Sequence, residues 1–257
     1  MSKISSAFTN KAFIAFITCG DPDLATTAAC VREAVRNGAD LIELGIPFSD
    51  PTAEGPVISA ANIRALSGGI KTKDVFELVR ELRKDVTVPM VFMTYANVVF
   101  SYGAEKFIGT CEEVGIDGII LPDLPYEEKE EFLPTCKAHG VDLISLIAPT
   151  SENRVEMIAR EAEGFIYLVS SLGVTGERSK ITTDLAGIVS HIRKVTDVPV
   201  AIGFGISTPE QAKEMAGLSD GAIVGSAIVK LVEKYGKDAP KYVGEYVKSM
   251  KDAILGK

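Results

Sequence analysis

The chain reads as an α/β protein, a (β/α)8 TIM barrel with extra N-terminal and C-terminal helices. Three observations predict it. Eight short β-rich runs alternate with amphipathic helical runs along the 257 residues. Most of the β-rich runs are apolar on both faces, as parallel strands covered by helices are. No linker or shift in composition divides the chain, so residues 1–257 read as a single barrel domain. An open doubly wound sheet is the alternative arrangement of the same elements.

The elements follow in order. "KISSAFTN" carries a helical pattern ahead of the first strand and is expected to cap the barrel. The first β-rich run, "FIAFITC" from Phe13, leads to the helix pattern "LATTAACVREAVRNG". The second, "DLIELGI" from Asp40, enters a proline-rich loop before "TKDVFELVRELRKD". "PMVFMTY" from Pro89 precedes "GAEKFIGTCEEVG", and "DGIILP" from Asp117 precedes "EEKEEFLPTCKAHG". Pro134 interrupts that last pattern, because proline kinks a helix or starts a new one. "DLISLIAP" from Asp142 is paired with "ENRVEMIAREAEG", and "FIYLVS" from Phe165 with "DLAGIVSHIRKV". "PVAIGFG" from Pro199 is followed by "PEQAKEMAGL". "DGAIVGS" from Asp220 is followed by a terminal helix pattern, "APKYVGEYVKSMKDAIL", expected to cap the barrel as well. Several helix patterns end in glycine, the usual residue just past a helix end.

Composition limits the partners. Hydrophobic residues make up 46% and charged residues 24%, enough for a large core. A net charge of −8 without basic clusters argues against nucleic acid and anionic membranes. It leaves a phosphorylated small molecule open, because backbone N–H groups at helix starts bind phosphate. The first residues have no long apolar core with a cleavage site, and no apolar run reaches membrane-spanning length. Cys19, Cys30, Cys111 and Cys136 show no CxxC pairing and read as reduced thiols of a cytoplasmic protein. His139 and His191 are too few for a His-rich metal site and lie near helix ends.

In such barrels the active site lies at the C-terminal ends of the strands. Glu43 stands there, inside the buried-looking run "DLIELGI". It shares parity with Leu41 and Gly45, so the three side chains face one side of the sheet. If that side is the interior, the carboxyl lies in an apolar pocket. Its protonated form is then favoured, which suits a general acid/base near neutral pH. The alternative is a Glu43 paired with a cation or wetted at the rim. The next loop carries Asp50 and Glu54. Asp50 also suits a turn or helix cap. Glu54 lies between Ala53 and Gly55, small residues that let a loop close over a ligand.

The last two units point to phosphate. "GFGIS" follows strand seven and "VGSAIV" follows strand eight. Ser226 stands at a helix start, where unpaired N–H groups favour anions. "SSLGVTGERS" after strand six is a third glycine-containing loop. Glycines serving tight turns alone are the competing reading.

Taken together and in order, "ELGIPFSDP", the "GP" after the acidic loop, "YANVVF", "LPDLP", "YLVSSLGVTGER", "GFGIS" and "GAIVGSAIV" strongly resemble the tryptophan synthase α subunit family. The match runs from "FITCGDPD" to the C-terminal helices. The resemblance implies retro-aldol cleavage of indole-3-glycerol phosphate to indole and glyceraldehyde 3-phosphate. It implies an α2β2 complex in which indole passes to the β subunit. Pyridoxal phosphate is then expected in that subunit, and no cofactor in this chain.

Residue by residue, the resemblance implies Glu43 as the principal acid/base and Glu54 on the indole N–H, with Tyr167 near the bond that breaks. Phe16, Ile58, Met93, Tyr95 and Ile120 are implied as walls of the indole pocket, with plain core as the alternative for Phe16, Met93 and Tyr95. Gly176, Phe204, Gly205, Gly225 and Ser226 are implied to hold the phosphate, and Thr175 to bond the loop acid on lid closure. The chain departs from the family at Glu54, where aspartate is usual. Glutamate is longer by one methylene, roughly 1.5 Å of reach. A stand-alone lyase, an allosteric activator with weak chemistry and a different phosphosugar isomerase are the competing functions.

Overall fold

The computed structural model describes residues 3–170 and 184–257. The eight β-rich runs all form strands: β1 Ala12–Thr18, β2 Leu41–Gly45, β3 Met90–Met93, β4 Gly118–Ile120, β5 Asp142–Leu143 with β6 Ser145–Ile147, β7 Ile166–Val169, β8 Val200–Gly203 and β9 Gly221–Val224. The fifth run counts as two because it changes neighbours midway. β5 pairs with β4 and β6 pairs with β7, all in parallel. Between the two, Ile144 donates its N–H to the Ile119 carbonyl at 2.9 Å. The sheet order β5-β4-β3-β2-β1-β9-β8-β7-β6 therefore begins and ends on halves of one run, and the barrel is nearly closed. The open doubly wound alternative is excluded.

Strand alternation explains why the runs are apolar throughout. Phe13, Ala15, Ile17, Ile42, Leu44 and Phe92 face the helical layer. Ile14, Phe16, Leu41, Val91, Met93, Ile120 and Tyr167 fill the interior. Both sets leave water, so polarity cannot alternate.

The helices among the described residues are α1 Leu24–Arg36, α2 Pro56–Ser67, α3 Thr72–Leu82, α4 Ala96–Tyr102, α5 Ala104–Val114 and α6 Leu133–Ala138. They continue with α7 Glu152–Arg160, α8 Leu185–Arg193, α9 Pro209–Leu218, α10 Ser226–Tyr235 and α11 Ala239–Leu255. The pattern around Pro134 divides, with a 3-10 turn over Tyr126–Glu131 and Pro134 in the first turn of α6. Proline needs no N–H partner there. α2 had no place among the sequence patterns. Its buried positions are the small or polar Ala61, Asn62 and Ala65 beside Ile58, so its apolar stripe is weak.

Both termini were expected to cap the barrel, and only one does. Lys3–Phe8 forms a 3-10 turn whose Ile4 is fully buried in the interior cluster. Cβ atoms built at Gly118 and Gly164 would lie 3.0 and 3.2 Å from its Cδ1, so both glycines make room for this plug. The C-terminal α11 instead packs in the outer layer against α1, α9 and α10. Its Val243, Val247 and Met250 form one buried stripe, which suits a helix neighbour better than the barrel mouth. No helix among the described residues is long and apolar enough to cross a membrane.

Candidate active site

The interior face carries Glu43 as its parity required. Its register partners are Phe16 on β1 and Val91 on β3, so both neighbours are apolar. Glu43 is 1% exposed, and its Oε2 has no hydrogen-bond partner among the described residues. Burial pushes the carboxyl up to about 8. The paired-cation and wet-rim alternatives do not describe this environment. The proton stays on Glu43 at neutral pH because a lone charge in an apolar site is costly.

Phe16 reaches this level because β2 ends in glycine. A Cβ at Gly45 would stand 2.6 Å from Phe16 Cζ. Tyr167 on β7 is 5% exposed, and burial, then the charge of Glu43, raises its phenol. Its ring meets Phe204 edge-on, with centroids 6.0 Å apart.

A narrow cavity of about 30 Å³ unites Glu43, Phe16, Ile58, Met93, Tyr167, Phe204, Gly205, Gly225 and Ser226. The acid and the glycine-rich ends of strands seven and eight thus share one chamber. Phe204 and Gly205 turn with φ of 75° and 82°. Phe204 is the non-glycine residue with positive φ among those described, a strained conformation that needs support. Ser170 Oγ supplies it, donating to the Phe204 carbonyl at 2.7 Å. Ser226 begins α10 after Gly225, so the free N–H groups of that helix start lie in the cavity wall.

Glu54 lies outside the lining of the narrow cavity, in the loop before α2. Asn62 Nδ2 donates to its Oε2 at 2.6 Å. Burial raises its carboxyl to about 7, partly offset by hydrogen bonds with Asn62 and Tyr95. Tyr95 is buried beyond the end of β3, and its hydroxyl accepts the Ala53 N–H at 3.1 Å. It holds the acidic loop in addition to forming part of the core. Ile120 is fully buried in the barrel interior and does not line the narrow cavity. A wider space of about 320 Å³ shares Phe204 and runs to Ala53, beside Glu54. Thr175 and Gly176 lie outside the described residues.

Sequence reasoning did not single out Asn62, nor Arg64 two residues on. Arg64 grips Asp21 in two hydrogen bonds of 2.9 and 2.8 Å and reaches Glu233 at 2.9 Å. It ties α2 to the loop after β1 and to α10. The available signal was the i, i+4 spacing of Ile58 and Asn62, visible only once α2 is read as a helix.

Comparison with known proteins decides the family. The family model for the tryptophan synthase alpha chain matches residues 3–254. The chain belongs to the tryptophan synthase alpha chain family. The alpha chain of Lacticaseibacillus casei is 49% identical, with 100% of this chain and 97% of that one covered. That of Lactiplantibacillus plantarum is 48% identical, covering 100% and 98%. The crystal structure of the Legionella pneumophila alpha subunit superposes with a TM-score of 0.88 at 35% identity, over 100% of both chains. A chain of the Pyrococcus furiosus tryptophan synthase α2β2 complex gives 0.87 at 33% identity, over 96% of this chain and 99% of that one. The protein is thus a carbon–carbon lyase of tryptophan biosynthesis, and the alpha reaction cleaves indole-3-glycerol phosphate.

Proposed function

We propose that Glu43 and Glu54 divide the acid/base work of this cleavage between them. The observation that carries it is the pair of unlike environments. Glu43 is buried and its Oε2 has no hydrogen-bond partner among the described residues, while Glu54 is half-buried and hydrogen-bonded. Two carboxyls tuned apart take different roles. Protonated Glu43 gives its proton to indole C3. Glu54, as a carboxylate, accepts the ring N–H and stabilises the positive charge that develops there. Glu43, now a carboxylate, takes the proton of the substrate hydroxyl next to the bond that breaks. The bonding electrons return to the ring, and indole and glyceraldehyde 3-phosphate result.

The Phe204–Gly205 turn and the start of α10 hold the phosphate through backbone N–H groups, which explains a phosphate site in an acidic chain. Phe16, Ile58 and Met93 wall the aromatic ring, Tyr167 lies beside the scissile bond, and Tyr95 supports the loop. Thr175 and Gly176 are assigned by resemblance to the loop acid and the phosphate. The chain works as one barrel domain in the cytoplasm. It pairs with a β subunit in an α2β2 complex, and pyridoxal phosphate belongs to that subunit.

The test is indole release from indole-3-glycerol phosphate by the purified chain, alone and with a tryptophan synthase β subunit. Slow cleavage that rises sharply with the β subunit is expected. Fast cleavage by the chain alone marks a stand-alone lyase. No cleavage, with β activity still stimulated, marks an activator.

A further inference from the structure

We propose that Asn62 is a positioning residue of the alpha reaction, whose side-chain amide holds the Glu54 carboxylate where it meets the substrate's ring N–H. The inference rests on the role given to Glu54 above.

Glutamate carries one more rotatable bond than the usual aspartate, so an untethered Glu54 spreads over more positions. Misplacing a reacting group by about 1 Å costs roughly a hundredfold in rate. Here the freedom is removed from two sides. Asn62 Nδ2 lies 2.6 Å from Glu54 Oε2, and Asn62 itself is 3% exposed. The preceding residue is pinned by the Ala53 N–H to the Tyr95 hydroxyl.

The tether stands on a rigid base. Asn62 lies one turn along α2 from Ile58, which lines the Glu43 cavity, so both project from one helix face. Arg64 fastens the same helix to Asp21, 2% exposed, and to Glu233 on α10. The helix that holds the loop acid is thus joined to α10, whose first residue Ser226 lines the Glu43 cavity. An amide N–H facing a carboxylate favours its charged form, the form needed to accept the ring N–H.

The experiment is the pH profile of kcat and KM for indole release, measured on the full chain with a β subunit present. It compares wild type, Asn62→Ala, Asn62→Asp and Glu54→Gln. Asn62→Ala should move the acid limb of kcat upward by about one pH unit. Relative to wild type it should lower kcat by up to about tenfold on the acid side, with the ratio rising toward one on the alkaline side and KM nearly unchanged. Asn62→Asp, which keeps the volume, should move the limb further because like charges face each other. It carries the test if the alanine variant does not fold. A rate lowered equally at every pH in both Asn62 variants, or an unmoved limb, overturns the positioning role. Glu54→Gln separates the two readings. If it abolishes the limb while the Asn62 variants keep the wild-type profile, only the Asn62 inference fails. If Glu54→Gln itself keeps full activity and the wild-type profile, the role of Glu54 fails and this inference with it.

Discussion

Gly203 faces Tyr167 so closely that a Cβ at 203 would stand 2.6 Å from the tyrosine hydroxyl and 2.7 Å from its ring. The two sit on neighbouring strands, β8 and β7, and the missing side chain is what admits the ring. Gly203→Ala should push Tyr167 into the narrow cavity beside Glu43. Turnover should fall at least about tenfold, since small displacements at a reacting centre are costly. Steady-state indole release checks it, and a variant with wild-type kcat and KM would show that Tyr167 has room to spare.

Glu43→Gln should abolish turnover, by about a hundredfold or more, while substrate still binds. Isothermal titration with the substrate, beside a turnover assay, measures both. Equal turnover would remove Glu43 from the mechanism.

The same residue makes stability pH-dependent. Burial raises the folded-state carboxyl from 4.5 to about 8. A raised value means the folded state binds the extra proton. Its favourable contribution is present in full below 4.5 and is lost as pH climbs toward 8. Urea denaturation of the wild type between about pH 5 and 9 should show a decline of a few kcal/mol, roughly, from this group. Glu43→Gln, which cannot ionise, should flatten that decline.

With Glu43 protonated below about 8 and Glu54 ionised above about 7, the active form occupies a narrow window. The kcat profile should be a bell with flanks near those values. Glu54→Asp should keep similar or higher activity, because a carboxylate remains. Full activity in Glu54→Ala would falsify a catalytic role for the loop acid.

Arg64→Met should destabilise the fold by about 2 kcal/mol, because it leaves the buried Asp21 carboxylate without its cation. Thermal unfolding of Arg64→Met and of the double variant with Asp21→Asn checks the cause. The second change should restore part of the loss, and no restoration would mean that Glu233 or packing dominates.

Much of this architecture is already present in the order of residues. Runs such as "FIAFITC" are apolar on both faces only when both faces are buried, so eight of them between amphipathic helices specify a barrel of parallel strands. Period-two alternation puts Glu43 on the same face as Leu41, and the glycine-rich ends of strands seven and eight bring Gly205 and Gly225 into the lining of the cavity that holds Glu43. Local rules suffice there because each concerns neighbours in the chain. Tertiary structure alone decided the rest. The fifth run splits at Ile144 to close the ring, and α11 joins the outer helices because its stripe of Val243, Val247 and Met250 finds α1 and α9. Tyr95 also supports the acidic loop, because its hydroxyl accepts the Ala53 N–H at 3.1 Å. Asn62 and Glu54, eight residues apart, meet only because α2 folds back over its own loop. Contacts of this kind depend on how elements pack in space, and no spacing along the chain encodes a hydrogen bond between side chains that packing brings together.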